Sequence, residues 1–270
     1  MALPSAASRL VEVKSRIISV SQISSSGYVF EFEAPVIAEI AQPGQFVQIR
    51  VSSAYTPLLR RPFSVLKTDK TKGSIYILFK VFGTATKILS SKNAGDHVDL
   101  LGPLGNTFRL ESYQQLFIAG GGIGIPPLYF LLTSLMHGKK DIRVYLGAQT
   151  GDELWYSHEI RKFDIPFITT TEDGSSGEKG LVTRPLEEDL KKLQDKSRAC
   201  IAACGPLPML SAIQNLAMKY EISAQLSVET IMACGFGICM GCVLPNHGET
   251  ESYSLVCKDG PVFQKGDLVI

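Results

Sequence analysis

Cys234, Cys239 and Cys242 stand in the order C-x4-C-x2-C, and Cys257 follows fifteen residues later. Four thiolates at this spacing fit the plant-type arrangement for a [2Fe–2S] cluster, in which cysteine sulfur holds both irons. Gly235, Gly237 and Gly241 lie between them. Glycine accepts φ > 0 and carries no Cβ, so a loop built on these three can turn its N–H groups inward toward the sulfurs. Two other uses of the same cysteines stay open. A zinc site would take four thiolates too, though usually as paired C-x2–4-C knuckles. A disulfide framework belongs to small secreted chains, and six cysteines in 270 residues fit that poorly.

Three further stretches could hold a phosphate-bearing ligand. Arg60-Arg61-Pro62-Phe63-Ser64 offers a guanidinium for a diphosphate, a bulky ring to lie against a dinucleotide and a hydroxyl for a flavin ring. An arginine pair is as often a solvated strand end. Gly83-Thr84-Ala85-Thr86-Lys87-Ile88-Leu89 opens a helix-like segment after a strand; its first amides suit a phosphate, and Thr84 or Thr86 equally suits a simple cap. Leu116-Phe117-Ile118-Ala119 runs into Gly120-Gly121-Gly122-Ile123-Gly124-Ile125-Pro126-Pro127. Strand, glycine turn, then helix start is the arrangement that seats a pyrophosphate, although Ile125 stands where the strict G-x-G-x-x-G pattern has its third glycine. Cys204-Gly205-Pro206 follows an apolar strand, at the end where open α/β sheets bind ligands. Cys204 is read either as part of a nicotinamide site or as a core cysteine, and Cys200 as core.

The elements that must position these residues fall into three parts. From Val11 to about Leu110 the chain reads as short strands, among them Tyr28 to Phe32, Phe46 to Val51 and Ser74 to Val81, with turns at Pro43-Gly44 and Lys72-Gly73. That spacing favours a closed antiparallel barrel, with Gly102-Pro103-Leu104-Gly105-Asn106 as a turn-rich link at its end. Strands at Ile142 to Leu146, Pro166 to Ile168 and Ala199 to Ala203 then alternate with helical patterns from about Leu128 to Met136, Pro185 to Leu193 and Leu207 to Met218. Alternation of this kind implies a parallel sheet covered on both faces. The expected chain is therefore multidomain: a barrel over 1–112, an α/β parallel-sheet unit over 113–226 and a small cysteine module over 227–270.

Composition sets outer limits. The formal net charge of +1 gives no electrostatic case for nucleic acid. The apolar run from Leu116 to Leu132 is broken by four glycines and Pro126-Pro127 and is not a membrane span. Met1 to Leu10 reads as a short disordered lead, not a signal peptide. Thiolate ligands and otherwise unpaired cysteines point to a reducing cytoplasm.

In this order the motifs resemble the ferredoxin reductase superfamily, and within it the electron-transfer subunits of dihydroorotate dehydrogenase B, from Val11 to Ile270. The likeness is carried by Leu59-Arg60-Arg61-Pro62-Phe63-Ser64, Gly102 to Asn106, Gly120 to Leu128, Asp173-Gly174-Ser175, Glu229 and Val256-Cys257-Lys258-Asp259-Gly260-Pro261-Val262-Phe263. It implies FAD held by Arg61, Pro62, Phe63 and Ser64, by Ile77, Leu78 and Phe79, and by a Gly-Thr pair at a helix start. Here that pair aligns with Ala85-Thr86, unless Gly83-Thr84 takes the role. It implies NAD at Gly120, Gly121, Gly122 and Gly124 with Cys204, Gly205 and Pro206, and cluster ligation by Cys234, Cys239, Cys242 and Cys257. No catalytic residue for dihydroorotate is expected, because the family's FMN-containing catalytic subunit carries that chemistry, in a heterotetramer of two of each chain. The small subunit of NADH-dependent ferredoxin:NADP reductase is similar but typically has aspartate where Cys234 stands. An NAD(P)H-dependent ferredoxin or sulfur reductase subunit, and a zinc-bound structural subunit, remain the other readings. Glu172 and Asp173 would repel a 2′-phosphate and favour NAD over NADP, or else form a solvated turn. Phe236, Ile238 and Met240 are expected to be exposed, either to meet the partner or to shield the cluster.

Overall fold

The computed structural model describes residues 10–248 and 252–270, so the lead expected over Met1 to Leu10 lies outside the described residues except for Leu10. Six strands close a barrel in the order β1-β2-β5-β4-β3-β6: β1 Val11–Gln22, β2 Gly27–Glu33, β3 Phe46–Arg50, β4 Arg61–Asp69, β5 Ser74–Lys80 and β6 His97–Leu104. All are antiparallel, and their inward residues, such as Phe30, Phe32, Val47, Ile49, Ile75 and Ile77, form one buried core. Helix α1 (Pro35–Ile40) plugs one end and α2 (Thr84–Ser90) follows β5. The first part of the expected link, Gly102-Pro103-Leu104, is instead the end of β6, where Gly102 pairs with β1 and Leu104 with β3. The β3–β6 ladder shifts register between Phe46 and Gln48, and such an irregularity tolerates a glycine and a proline inside a closed barrel.

The second unit is a sheet in the order β10-β9-β8-β7-β11-β12-β15. Its parallel strands are β7 Gln115–Gly121, β8 Asp141–Ala148, β9 Phe167–Thr171, β10 Glu178–Lys179, β11 Ala199–Cys204 and β12 Ser223–Ser227. Helices α3 (Ile125–Leu135) and α4 (Ser157–Arg161) cover one face, α5 (Thr183–Lys191) and α6 (Leu207–Lys219) the other. Helix α3 begins at Ile125, three residues before the expected Leu128. Pro126 and Pro127 sit within its first turn, where a missing N–H leaves no bond unmade. Because side chains alternate across a strand, Cys200, Ala202 and Cys204 face α3 while Ile201 and Ala203 face α6.

The C-terminal module has a small hairpin, β13 (Val243–Pro245) with β14 (Tyr253–Leu255), and then β15 (Val262–Gln264), which joins the large sheet antiparallel to β12. Its residues Met232, Cys242, Val256, Cys257 and Phe263 share one apolar cluster with β11, α6 and the outward-facing Phe46 of β3. The barrel is tied to the sheet by a second shared cluster, in which Leu66 and Leu78 pack with Leu128, Leu131 and Trp155. Three units thus meet along one seam.

Candidate functional site

The cysteine loop is built by left-handed residues and by amides aimed at sulfur. Gly235 (φ 84°) and Gly237 (φ 88°) make the expected turns, but the third left-handed position is Met240 (φ 59°), not Gly241. The N–H of Gly237 donates to Cys257 Sγ at 3.1 Å, that of Cys239 to Cys234 Sγ at 3.4 Å, and that of Gly241 to Cys239 Sγ at 3.4 Å. Cys242 and Cys257 are buried side by side with their sulfurs 3.3 Å apart, and no cysteine forms a disulfide. Burial pushes the Cys234 thiol up, yet the amides of Phe236, Cys239 and Ile238 outweigh it and bring it down to about 6. A set of four thiols with converging N–H groups fits a thiolate-bound cluster.

Around this loop the barrel presents β4. Residues Phe46, Val47, Gln48 and Ile49 of β3 lie opposite Ser64, Phe63, Pro62 and Arg61 respectively. The two arginines of the motif differ. Arg60 is ion-paired with Glu12, whereas Arg61 bonds only the carbonyls of Leu59 (2.7 Å) and Arg60 (3.2 Å) and keeps donors for an anion. Phe63 packs edge-on to Phe79, ring centres 5.7 Å apart. Ile77, Leu78 and Phe79 are themselves buried, so only their backbone could meet a ligand. Thr86 Oγ1 accepts from the amides of Phe82 and Gly83 at 3.1 Å each and donates to the Gly83 carbonyl, so its hydroxyl is spent on capping α2. Ala85 is buried in the barrel core and Gly83 faces open space.

At the carboxyl end of the sheet the glycine turn and the Cys204-Gly205-Pro206 stretch come together. Gly120 pairs with Cys204 across the sheet. A Cβ on Gly124 would run into the Cys204 carbonyl and lie 2.6 Å from the Gly205 nitrogen, and one on Gly121 would lie 2.5 Å from Met209 Sδ and 3.2 Å from Pro206 Cδ. Gly122 (φ 52°) has nothing against it. Cys204 is fully buried; burial holds its thiol well above the usual range, the Glu229 carboxylate adds to that, and a hydrogen bond with Ser227 opposes it. Asp173 accepts from the Ser175 amide (2.9 Å) and hydroxyl (2.7 Å), which is the solvated-turn alternative for that residue.

Two residues gain a setting that the sequence reading did not give them. Glu229 follows β12 in a recess: solvent reaches it, yet the protein packed around it raises its pKa to about 7. Asn106 joins the barrel to the module. Its Nδ2 donates to the carbonyls of Asp259 and Val262 at 2.8 Å each, and its Oδ1 accepts from the Val262 amide at 2.9 Å. An asparagine after Gly105 is the signal, since Gly105 (φ 77°) lets Pro261 approach where a Cβ would be 2.5 Å away.

A barrel with an arginine motif, a nucleotide-type sheet end and a four-cysteine loop define a flavin- and nicotinamide-linked oxidoreductase with an iron–sulfur module. Family models agree region by region. An oxidoreductase FAD-binding domain matches residues 14–108, an oxidoreductase NAD-binding domain 117–215, and the iron-sulfur cluster binding domain of dihydroorotate dehydrogenase B 229–269. The dihydroorotate dehydrogenase B (NAD(+)) electron transfer subunit of Geobacillus thermodenitrificans is 37% identical over 257 residues, covering 94% of this chain and 97% of that one. The subunit of the same description from Bacillus cereus is 36% identical over 94% of this chain and 97% of that one. Among solved structures, the NADH-dependent reduced ferredoxin-NADP oxidoreductase aligns with a TM-score of 0.84 at 30% identity, over 95% of this chain and 90% of that one. A ferredoxin NADP+ reductase from Neisseria gonorrhoeae aligns at 0.65 and 15% identity, over 77% of this chain and 91% of that one, which shows a common fold. The chain belongs to the family of dihydroorotate dehydrogenase B (NAD(+)) electron transfer subunits. It carries FAD-, NAD- and iron–sulfur-binding domains. Among the described residues no helix is long and apolar enough to cross a membrane.

Proposed function

We propose that this chain takes electrons from the FMN of a dihydroorotate dehydrogenase catalytic subunit and delivers them, by way of its cluster and FAD, to NAD⁺. The observation that carries the reading is the seam itself: the four-cysteine loop packs on the outer face of the barrel strand β3, which pairs with the arginine motif on β4. FAD, when bound, exchanges two electrons with a nicotinamide and one at a time with an iron–sulfur centre, which is why all three belong in one chain. Cys234, Cys239, Cys242 and Cys257 would hold the cluster, with the loop amides favouring the thiolate of Cys234. Arg61 would pair with the flavin diphosphate, with Pro62, Phe63 and Ser64 along the same strand, the backbone of Ile77, Leu78 and Phe79 beside it, and Ala85-Thr86 or Gly83-Thr84 at the phosphate. Gly120, Gly121, Gly122 and Gly124 would take the NAD pyrophosphate, and Cys204, Gly205 and Pro206 would flank the nicotinamide. Units over 1–112, 113–226 and 227–270 divide these duties.

The partner would dock over the cluster loop. Ile231, Ile238, Met240 and Phe236 are 87%, 75%, 58% and 41% exposed, an apolar group of the kind that marks an interface. A heterotetramer of two chains of each kind, working in the cytoplasm, completes the reading. Anaerobically purified protein is expected to absorb as flavin plus cluster, to hold about two irons per chain and to bleach with NADH. Purified with an FMN-bearing partner, it should form orotate at the expense of NAD⁺. A colourless, iron-free chain, or assembly undisturbed by Met240→Asp, would count against the cluster and the docking face respectively.

A further inference from the structure

Among the described residues, the buried glutamines other than Gln48 all find partners. Gln45 donates to the Gly105 carbonyl and accepts from the Gln42 amide, both at 2.9 Å. Gln225 bonds both backbone groups of Arg109, at 2.7 and 2.6 Å. Gln214 accepts from the Gly266 amide at 3.0 Å and reaches the Leu268 carbonyl at 3.5 Å. Gln48 is the exception. It is 0% exposed, and it is the one side chain among the described residues with both its oxygen and its nitrogen buried and unpartnered. An orphaned donor in such a place is destabilising, so a group that satisfies it is to be expected.

Its position says which group. Along β3, Val47 and Ile49 face the barrel core while Phe46 joins the apolar cluster that holds Cys242 and Cys257, so Gln48 faces outward with Phe46. Across the strand it meets Pro62 of the arginine motif. At its tip it meets the cysteine loop: a Cβ on Gly235 would lie 2.6 Å from Gln48 Nε2, 2.7 Å from Cγ and 3.0 Å from Cδ. Gly235 is thus left without a side chain at the point where Gln48 arrives, directly after Cys234. The buried carboxamide ends between Pro62 of the arginine motif and Gly235 of the cysteine loop.

We propose that Gln48 is a positioning residue for the iron–sulfur centre, donating an Nε2–H hydrogen bond to the sulfur of the cluster held through Cys234. Sulfur there accepts and cannot donate, which fixes the amide with its nitrogen toward the loop. A donor on cluster sulfur favours the reduced, more negative state and raises the reduction potential. Gln48 then sets the driving force between cluster and flavin from the flavin's own domain. The inference rests on the reading of the four cysteines as cluster ligands, and the test separates the two.

The experiment compares wild type with Gln48→Met and Gln48→Leu as purified holoprotein. Iron and sulfide content and the visible spectrum report whether a cluster is present, and their absence in wild type overturns the ligand reading itself. With iron loaded, redox titration followed by electron paramagnetic resonance is expected to place the cluster couple of the variants lower by about tenfold in the one-electron equilibrium, about 59 mV, with the flavin couple unmoved. An unchanged cluster couple, or a shift confined to the flavin, overturns the proposal. Should neither variant load iron, wild-type protein labelled with ¹⁵N only in glutamine side chains decides. A pulsed-resonance coupling from that nitrogen to the reduced cluster supports the bond, and its absence overturns it.

Discussion

Cysteine has opposite fates in strand β11 and in the loop over residues 234–242. Cys200 and Cys204 are buried in the strand, where loss of water holds both thiols protonated, Cys200 pushed up to about 12. Cys234 also loses water, but backbone amides aimed at its sulfur bring it down to about 6. The same side chain is held as a thiol in one place and readied as a thiolate in the other. Burial alone does not decide. At Cys234 the left-handed turns of the loop aim several amides at the sulfur and win. At Cys257 burial and the neighbouring Cys242 outweigh the single amide of Gly237 and hold the thiol at about 12.

The sharpest way to break this comparison is to exchange the two kinds. Cys242→Ser is expected to abolish iron binding, because a [2Fe–2S] centre needs all four protein ligands here and serine replaces a thiolate in a buried pair. Cys200→Ala should keep full iron content and lose only about 1 kcal/mol of stability, a small core truncation. Iron analysis and thermal melts read both; iron loss from Cys200→Ala would end the distinction. Next in size is Gly124→Ala. The added methyl meets the Cys204 carbonyl and the Gly205 nitrogen, which are backbone and cannot swing away. A loss of about 3 kcal/mol or more is expected, together with failure to bleach with NADH. A variant that melts like wild type would mean that the sheet end is looser than its packing indicates.

Much of this was legible in the residues, for reasons that differ by region. Cysteine spacing is close to a direct statement of chemistry, since four ligands leave few alternatives. Strand and helix alternation between Leu116 and Met218 exposed the parallel sheet, and the short aromatic strands exposed the barrel. What stayed hidden is contact between distant segments. That Gly124 abuts Cys204, that Asn106 clasps Asp259 and Val262, and that β15 completes the sheet beyond β12 are pairings which local pattern does not encode. Gln48 shows the limit well: a polar residue amid Phe46, Val47 and Ile49 reads as the solvent side of a strand, and only packing reveals that this side is buried under the loop.

The arginine pair sharpens the same lesson, since again two identical side chains diverge by surroundings. Arg60 is neutralised by Glu12, while Arg61 holds only carbonyls. Arg61→Ala is expected to weaken FAD binding by about tenfold to a hundredfold, the loss of one charge-assisted pair to phosphate. Arg60→Ala should change it by less than about threefold, as the loss of an exposed ion pair does. Fluorescence titration of flavin-stripped protein measures both. Equal losses would show that the diphosphate is held by the pair as a whole.

The smallest effect belongs to Glu229, whose carboxylate adds to the upward shift of the Cys204 thiol. Its pKa stands at about 7 in the folded protein against an ordinary value of 4.5, raised by the protein packed around it. Between those two values the folded state keeps a proton that the unfolded chain has released. Stability therefore falls as pH rises through this window, and the whole penalty is present above about 7. Glutamine carries no charge to desolvate. Glu229→Gln should melt with wild type at pH 4.5, gain on it progressively to pH 7 and keep a constant lead at higher pH. The gain will be modest, because solvent reaches the carboxyl group and screens it. A lead that is the same at every pH would trace to packing, and one that grows toward acid would mean that Glu229 is held ionised by a positive partner instead of neutral beside Cys204.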